Sequence, residues 1–225
     1  MRSLPLFASE AFKERPPILP AVAALFVEDP GPYTGLDGVE AWGYRRDARS
    51  YPGPHPVVAH PPCKRWGRYW GGGPSGGAGF YKGDDHGCFA VALWAVRTFG
   101  GVLEHPEASH AWGWFGLERP RFLGGWTDPD QWGGRSCCVA QGHYGHAGQK
   151  MTWLYRVGPG PFPELIWGRC LGKKRLDLGI QTREERTAFR ESGGIGPERL
   201  TTEERLHTPV AFRDLLISMA AILQS

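Results

Sequence analysis

The sequence predicts an α/β fold, a mostly parallel sheet with flanking helices and a Gly-rich loop beside the site, from three observations. Short apolar runs at residues 23–27, 56–59 and 102–104 each stop at a Pro-, Gly- or His-bearing turn, as buried parallel strands do where they open into loops. Before the third run, Phe89, Ala92, Leu93 and Val96 recur at i, i+3, i+4 and i+7, with acidic residues ahead of them and Arg97 in the last turn. That is an amphipathic helix between strands, and such a unit is right-handed and joins parallel strands. Finally, 33 Gly and 20 Pro among 225 residues exclude a helical bundle, while 41% hydrophobic residues and ten Trp exclude a disordered chain.

Taken in order, the run at residues 18–27 contains Pro20 and follows Lys13-Glu14-Arg15. It is too short to span a membrane and too far from a charged start to be a leader, so it reads as a core strand. The segment 56–59 is the second strand, stopped by His60-Pro61-Pro62-Cys63, and residues 71–79 form a Gly-rich loop suited to a mobile lid. The helix runs over 85–99 until Gly100 and Gly101 stop it, and the strand 102–104 ends at His105-Pro106. Residues 136–140 and 152–157 read as strands flanking the loop 141–151; the adjacent Cys137 and Cys138 point to opposite faces, so at most one is expected to be buried. Residues 20–157 thus form the core of a single domain, 158–200 an irregular basic excursion, and 201–225 a returning helix capped by Thr208-Pro209, with Phe212, Leu215, Leu216, Met219 and Leu223 on one face.

Five Cys, an odd number without a C-x-x-C pair, read as reduced thiols of a cytoplasmic protein. The short-spaced pairs His60 with Cys63, His105 with His110, and His143 with His146 lack a structural zinc framework, so no metal is expected; His143 and His146 are placed beside Tyr144, facing substrate or solvent. The formal charge of +3 permits a nucleic-acid partner without demanding one.

Ligands of open parallel sheets sit at the carboxyl ends of the strands, where Asp29-Pro30-Gly31, His60-Pro61-Pro62-Cys63 and Glu104-His105-Pro106 emerge. A thiol and a carboxylate converging there form a constellation for covalent catalysis. Pro61-Pro62-Cys63 at a strand end, Glu104 at the next, and Tyr144-Gly145 followed by Gln149-Lys150 resemble in order and spacing the cytosine-C5 DNA methyltransferase family. The layout Leu25-Phe26, Gly31, Gly35-Leu36 is similar to that family's cofactor motif, and the resemblance spans roughly residues 24–157. His105 stands where the family has Asn, Lys64 where it has Gln, and Met151 and Trp153 where it has Arg; the span from Leu36 to Pro62 is short for the usual helix and strand.

The resemblance implies a compact Rossmann-like, class I methyltransferase-like sheet and S-adenosylmethionine as cofactor, held by Phe26, Asp29, Gly31, Gly35, Asp47 and Pro61 at a reduced site. It implies Cys63 as the nucleophile that adds to C6 of a pyrimidine and Glu104 as the acid at N3, its pKa raised by burial, with His60, His105 or water removing the C5 proton. A low Cys63 pKa is expected from His60, Lys64 and Arg65. The DNA partner, its target base flipped from any duplex, is expected on Lys64, Arg65, Arg68, Ser75, Gln149, Lys150, Lys173, Lys174 and Arg175; the run from Lys64 to Trp70 interleaves cations with rings. Three alternatives stay open: the same chemistry with another electrophile or on a modified or nucleotide-level pyrimidine, a DNA-binding protein without turnover, and a metal-dependent hydrolase or glycosylase built on the His residues. So small an enzyme suits a bacteriophage working in its host's cytoplasm.

Overall fold

Four chain segments of alternating small and branched residues build the parallel half of the sheet, in a computed structural model that describes residues 22–67, 70–71, 80–122, 124–175, 183–191, 193 and 198–221. They are β1 (Val22–Leu25), β2 (Val39–Trp42), β3 (Val57–Ala59) and β4 (Gly101–Pro106). The strands β5 (Arg135–Ala140) and β6 (Met151–Val157) follow, and the six lie in the order β2-β1-β3-β4-β6-β5. The first four are mutually parallel, and β6 runs antiparallel to both β4 and β5. The fold class is therefore the expected compact, Rossmann-like α/β sheet.

Because side chains alternate across a strand, the sheet feeds two cores. Ala23, Leu25, Val57, Ala59 and Leu103 face one layer, where α1 (Cys88–Phe99) packs Phe89, Ala92, Leu93 and Val96 against them. Val22, Ala24, Val58, Val102 and Leu154 face the other, where α5 (Val210–Ala221) packs Phe212, Leu216 and Met219. Coverage on both sides buries both Cys137 and Cys138, correcting the expectation that one would be exposed. Leu223 lies outside the described residues.

Local chemistry sets the boundaries. Glycine is required at position 101, where φ is +119° and a Cβ would overlap the Val57 carbonyl oxygen, so β4 begins against β3 at a residue without a side chain. The helix α1 starts three residues later than the apolar pattern suggests, because Asp85 accepts hydrogen bonds from the amides of Gly87 (3.0 Å) and Phe89 (2.8 Å) instead of entering it. The strand β2, absent from the sequence reading, is a half-buried edge strand carrying Glu40, and it follows β1 through a loop without a helix. The returning segment is two helices: α4 (Thr202–Leu206) is closed at its start by a capping box between Thr201 and Glu204, and α5 follows Pro209. A five-residue α2 (His110–Trp114) follows β4, and α3 (Arg183–Glu191) lies in the excursion. No helix among the described residues is long and apolar enough to cross a membrane.

Candidate active site at the switch point of the sheet

From β1 the chain moves outward to β2, then returns to lay β3 and β4 on β1's other side. The strand order thus reverses between β1 and β3, and the crevice outside their carboxyl ends is where such sheets bind ligands. A cavity of about 870 Å³ opens there, within the range of small-molecule sites. Its walls come from the loop after β1 (Phe26, Glu28, Gly31, Tyr33), the turn after β3 (His60, Pro61, Cys63), the end of β4 (Glu104, Pro106), Lys150, and the strap of α4 through Thr208 with Arg205 and His207.

Cys63 and Glu104, 41 positions apart in sequence, face this one space. His60 joins them: its Nδ1 lies 3.0 Å from Glu104 Oε2, and its Nε2 lies 2.8 Å from the Tyr33 hydroxyl. Burial drives the Tyr33 pKa far up, with the charge of Glu104 adding to the effect, so its O–H stays protonated and donates to Nε2. That leaves Nδ1 to donate to Glu104. The other carboxylate oxygen accepts from Gln141 Nε2 at 3.1 Å, and the same amide donates to Thr152 Oγ1 at 2.9 Å. Both oxygens of Glu104 are therefore oriented by donors before any substrate arrives.

The electrostatics differ from expectation at both residues. Burial pushes the Glu104 pKa up, but the hydrogen bond from His60 and the charge of Lys150 outweigh it, and the carboxyl sits below its ordinary range. Glu104 is a carboxylate, not the free acid that burial alone would make. Cys63 moves the other way, raised by burial and then by the Glu104 charge, with Lys150 pulling weakly down. The expected activation by Lys64 and Arg65 is not what surrounds the thiol. Lys64 points to solvent, and the Arg65 guanidinium lies 3.5 Å from the Phe80 ring centroid while donating to the Trp70 carbonyl.

Lys150, assigned from sequence to DNA, instead lines the cavity, largely buried, and donates to the His207 carbonyl at 3.0 Å. Burial lowers its pKa, and Glu104 and Cys63 pull it back up. His105 leaves the constellation. It projects to the opposite face of β4 from Glu104, between Phe89 (5.2 Å) and Trp112 (6.3 Å), with neither ring nitrogen hydrogen-bonded and the Pro62 carbonyl near it outside bonding geometry. Desolvation lowers its pKa to about 4, so it stays neutral. Of the two histidines proposed as proton acceptors, His60 alone reaches the site.

Among the expected cofactor contacts, Phe26, Gly31 and Pro61 line the cavity. Phe26 leaves β1 with φ +59°, and Gly31 makes a turn in which a Cβ would overlap the Glu28 carbonyl. Asp29 sits behind that wall, at 3.5 Å from Thr34 Oγ1, and Gly35 is exposed beyond it. Asp47 is turned away: it caps the turn Ala48–Ser50 and pairs with Arg49 at 2.9 Å in solvent. Among the described residues the cavity thus has a loop for the methionine end of S-adenosylmethionine, but no carboxylate from beyond β2 to grip a ribose.

The expected DNA contacts scatter. Trp66, within the basic and aromatic run, is a core residue that donates to Asp85 at 2.7 Å. Lys174 is held by Glu198 and Glu204, both at 2.8 Å. Arg175 is fixed through its backbone to Glu198 and Leu200 while its side chain is exposed, as is Lys173; Gln149 is half-buried, its carbonyl accepting from Gly142. Arg68, Ser75 and nearly all of the Gly-rich loop lie outside the described residues. His146, expected to face substrate or solvent, is buried; its Nδ1 accepts from the Gly148 amide at 3.0 Å and its Nε2 donates to the Glu204 carbonyl at 2.9 Å. Sequence reasoning missed Tyr33 and Gln141; neither belongs to a local motif, and each reaches the site through the strand order. Compared with protein-family profiles, curated proteins and solved structures, the chain matches none.

Proposed function

We propose that the chain modifies C5 of a pyrimidine in DNA, most simply as a cytosine methyltransferase. The observation that carries this reading is the meeting of Cys63 and Glu104 in one switch-point cavity. C5 of the ring is a poor nucleophile until a thiolate adds to C6, which places an enamine at C5. Cys63 makes that bond, and its proton passes to the Glu104 carboxylate. Negative charge then builds on the ring, and Glu104 hands that proton to N3 as it does, while His60 Nδ1 keeps its hydrogen on the carboxylate. Gln141 holds the carboxylate in place during the transfer. After C5 has taken the electrophile, a base removes the C5 proton, the Cys63 sulfur leaves as thiolate, and the N3 proton returns through Glu104, restoring the aromatic ring and the thiol. S-adenosylmethionine would supply an electrophilic methyl group from the Phe26 and Gly31 side of the cavity.

The position of Asp47 favours a second reading, the same Cys63 chemistry with another electrophile or on a nucleotide-level pyrimidine. Intact-protein mass spectrometry after incubation with 5-fluorocytosine DNA tests both. An adduct that needs Cys63 and S-adenosylmethionine supports methyl transfer, and one that needs Cys63 alone supports the second. No adduct under either condition, with DNA still bound by Cys63→Ala, replaces both by a binding protein.

A further inference from the structure

We infer that a second cavity, on the face of the sheet opposite Glu104, binds one unstacked nucleotide of a single strand, its base on Trp114 and Phe122 and its phosphate on Lys82 and Arg119. This rests on the nucleic-acid part of the reading above and not on its covalent chemistry. The cavity measures about 670 Å³ and is floored by Trp153 on β6. Trp153 pairs in register with His105, so the cavity lies on the face that His105 occupies, and it begins at Glu107, next in sequence to Pro106 of the first site.

Its rim has the two chemistries a nucleotide needs. Trp114 is 65% exposed and Phe122 54%, large apolar rings open to solvent at the mouth of a cavity. Trp114 is braced from below, its ring meeting the buried Trp66 edge-on at 5.9 Å, which leaves an anchored platform. Arg169 lies 4.9 Å over the Phe122 ring, adding a cation to that side. Lys82 and Arg119 both line the cavity, and among the described residues neither is ion-paired. Lys174 is the contrast: it was expected to meet DNA, yet it is neutralised twice within the chain. Against these cations the cavity sets one carboxylate, Glu107, and His110 adds a further donor. Exposed rings beside cations that no described carboxylate holds match a base joined to a phosphate, although the Lys82 ammonium also lies 5.1 Å from the Trp70 ring centroid, and every base has a π-face that such rings accept without reading sequence. A duplex hides those faces, so the match is to an unpaired nucleotide.

The test is fluorescence anisotropy of the full chain with a labelled pyrimidine oligonucleotide, single-stranded and duplex, across a salt series. Trp114→Ala and Phe122→Ala are expected to weaken single-strand binding about tenfold each. Lys82→Gln combined with Arg119→Gln is expected to flatten the salt slope by about 0.7, the value for one phosphate no longer neutralised. Trp114, Phe122 and Arg119 are exposed, and unchanged melting temperatures will separate a lost contact from a lost fold. Wild-type affinity and slope in these variants, no binding of the single strand, or equal binding of the duplex would overturn the inference. An adduct at Cys63 formed equally well by Trp114→Ala would do so too while leaving the C5 chemistry standing; loss of binding without any adduct in the parent would leave the cavity and remove the chemistry.

Discussion

The thiol of Cys63 is raised by two things at once, its burial and the carboxylate of Glu104, and only one can be removed without opening the site. Glu104→Gln keeps the volume and the contact with Gln141 but deletes the charge. Iodoacetamide modification of Cys63, followed by peptide mass mapping at pH 8, should therefore run several-fold faster in Glu104→Gln than in the parent. An unchanged rate would mean that the carboxylate does not reach the thiol electrostatically. His105 gives a second residue-scale prediction. Its folded pKa, about 4, lies below the ordinary histidine value of 6.5, so between these values the unfolded chain binds the proton that the folded one refuses. Stability from this residue is complete above pH 6.5 and is lost as pH falls toward 4, by about 3 kcal/mol. His105→Phe, which suits the pocket between Phe89 and Trp112, should flatten the urea midpoint between pH 6.5 and pH 4; a midpoint that still falls as steeply would assign the acid sensitivity elsewhere. The sequence placed Cys63, Glu104 and His60 at one edge because each follows an apolar run. It misplaced His105 because period-two alternation, applied one residue past Glu104, turns that side chain into the opposite core.

At the scale of elements, the apolar runs and the amphipathic pattern were sufficient to place β1, β3, β4, β5, β6 and α1, since burial on both faces demands continuous hydrophobic sequence. The edge strand β2 was not legible, because only Trp42 of its four residues is buried and Glu40 interrupts it. Nor was the start of α1, which depends on a side chain outside it. Asp85 is buried and accepts from Trp66 Nε1 at 2.7 Å as well as from the Phe89 amide, so one carboxylate ties the turn after β3 to the first turn of α1. Asp85→Ala leaves two buried donors without an acceptor and should cost about 2–4 kcal/mol in urea unfolding. It should also shift the near-ultraviolet signal of the tryptophans. A loss below about 0.5 kcal/mol would show that water or another acceptor replaces the carboxylate.

Across the whole molecule, the cavity beside Cys63 is closed by chain far away in sequence, the strap from Glu198 to Thr208 that leads from the excursion back to α5. Four ties hold it down among the described residues: Lys174 to Glu198 and Glu204, His146 to the Glu204 carbonyl, Lys150 to the His207 carbonyl, and the Arg175 backbone to Glu198 and Leu200. The first consumes a cation that sequence composition assigns to DNA, since a Lys-Lys-Arg run reads the same whether its charges meet phosphate or distant carboxylates. It is also the outermost tie, made of partly exposed side chains, so its loss should loosen the strap without unfolding the sheet. Lys174→Met is therefore expected to leave the melting temperature within about 2 °C of the parent. Amide exchange over 198–208 and the alkylation of Cys63 should both rise several-fold, the thiol being reached through the opening the strap covers. If exchange rises and alkylation does not, the strap moves without gating the cavity, and access to Cys63 runs past Phe26 and Pro32 instead. If neither changes, the remaining ties suffice, and Lys174→Met should then bind oligonucleotide as the parent does.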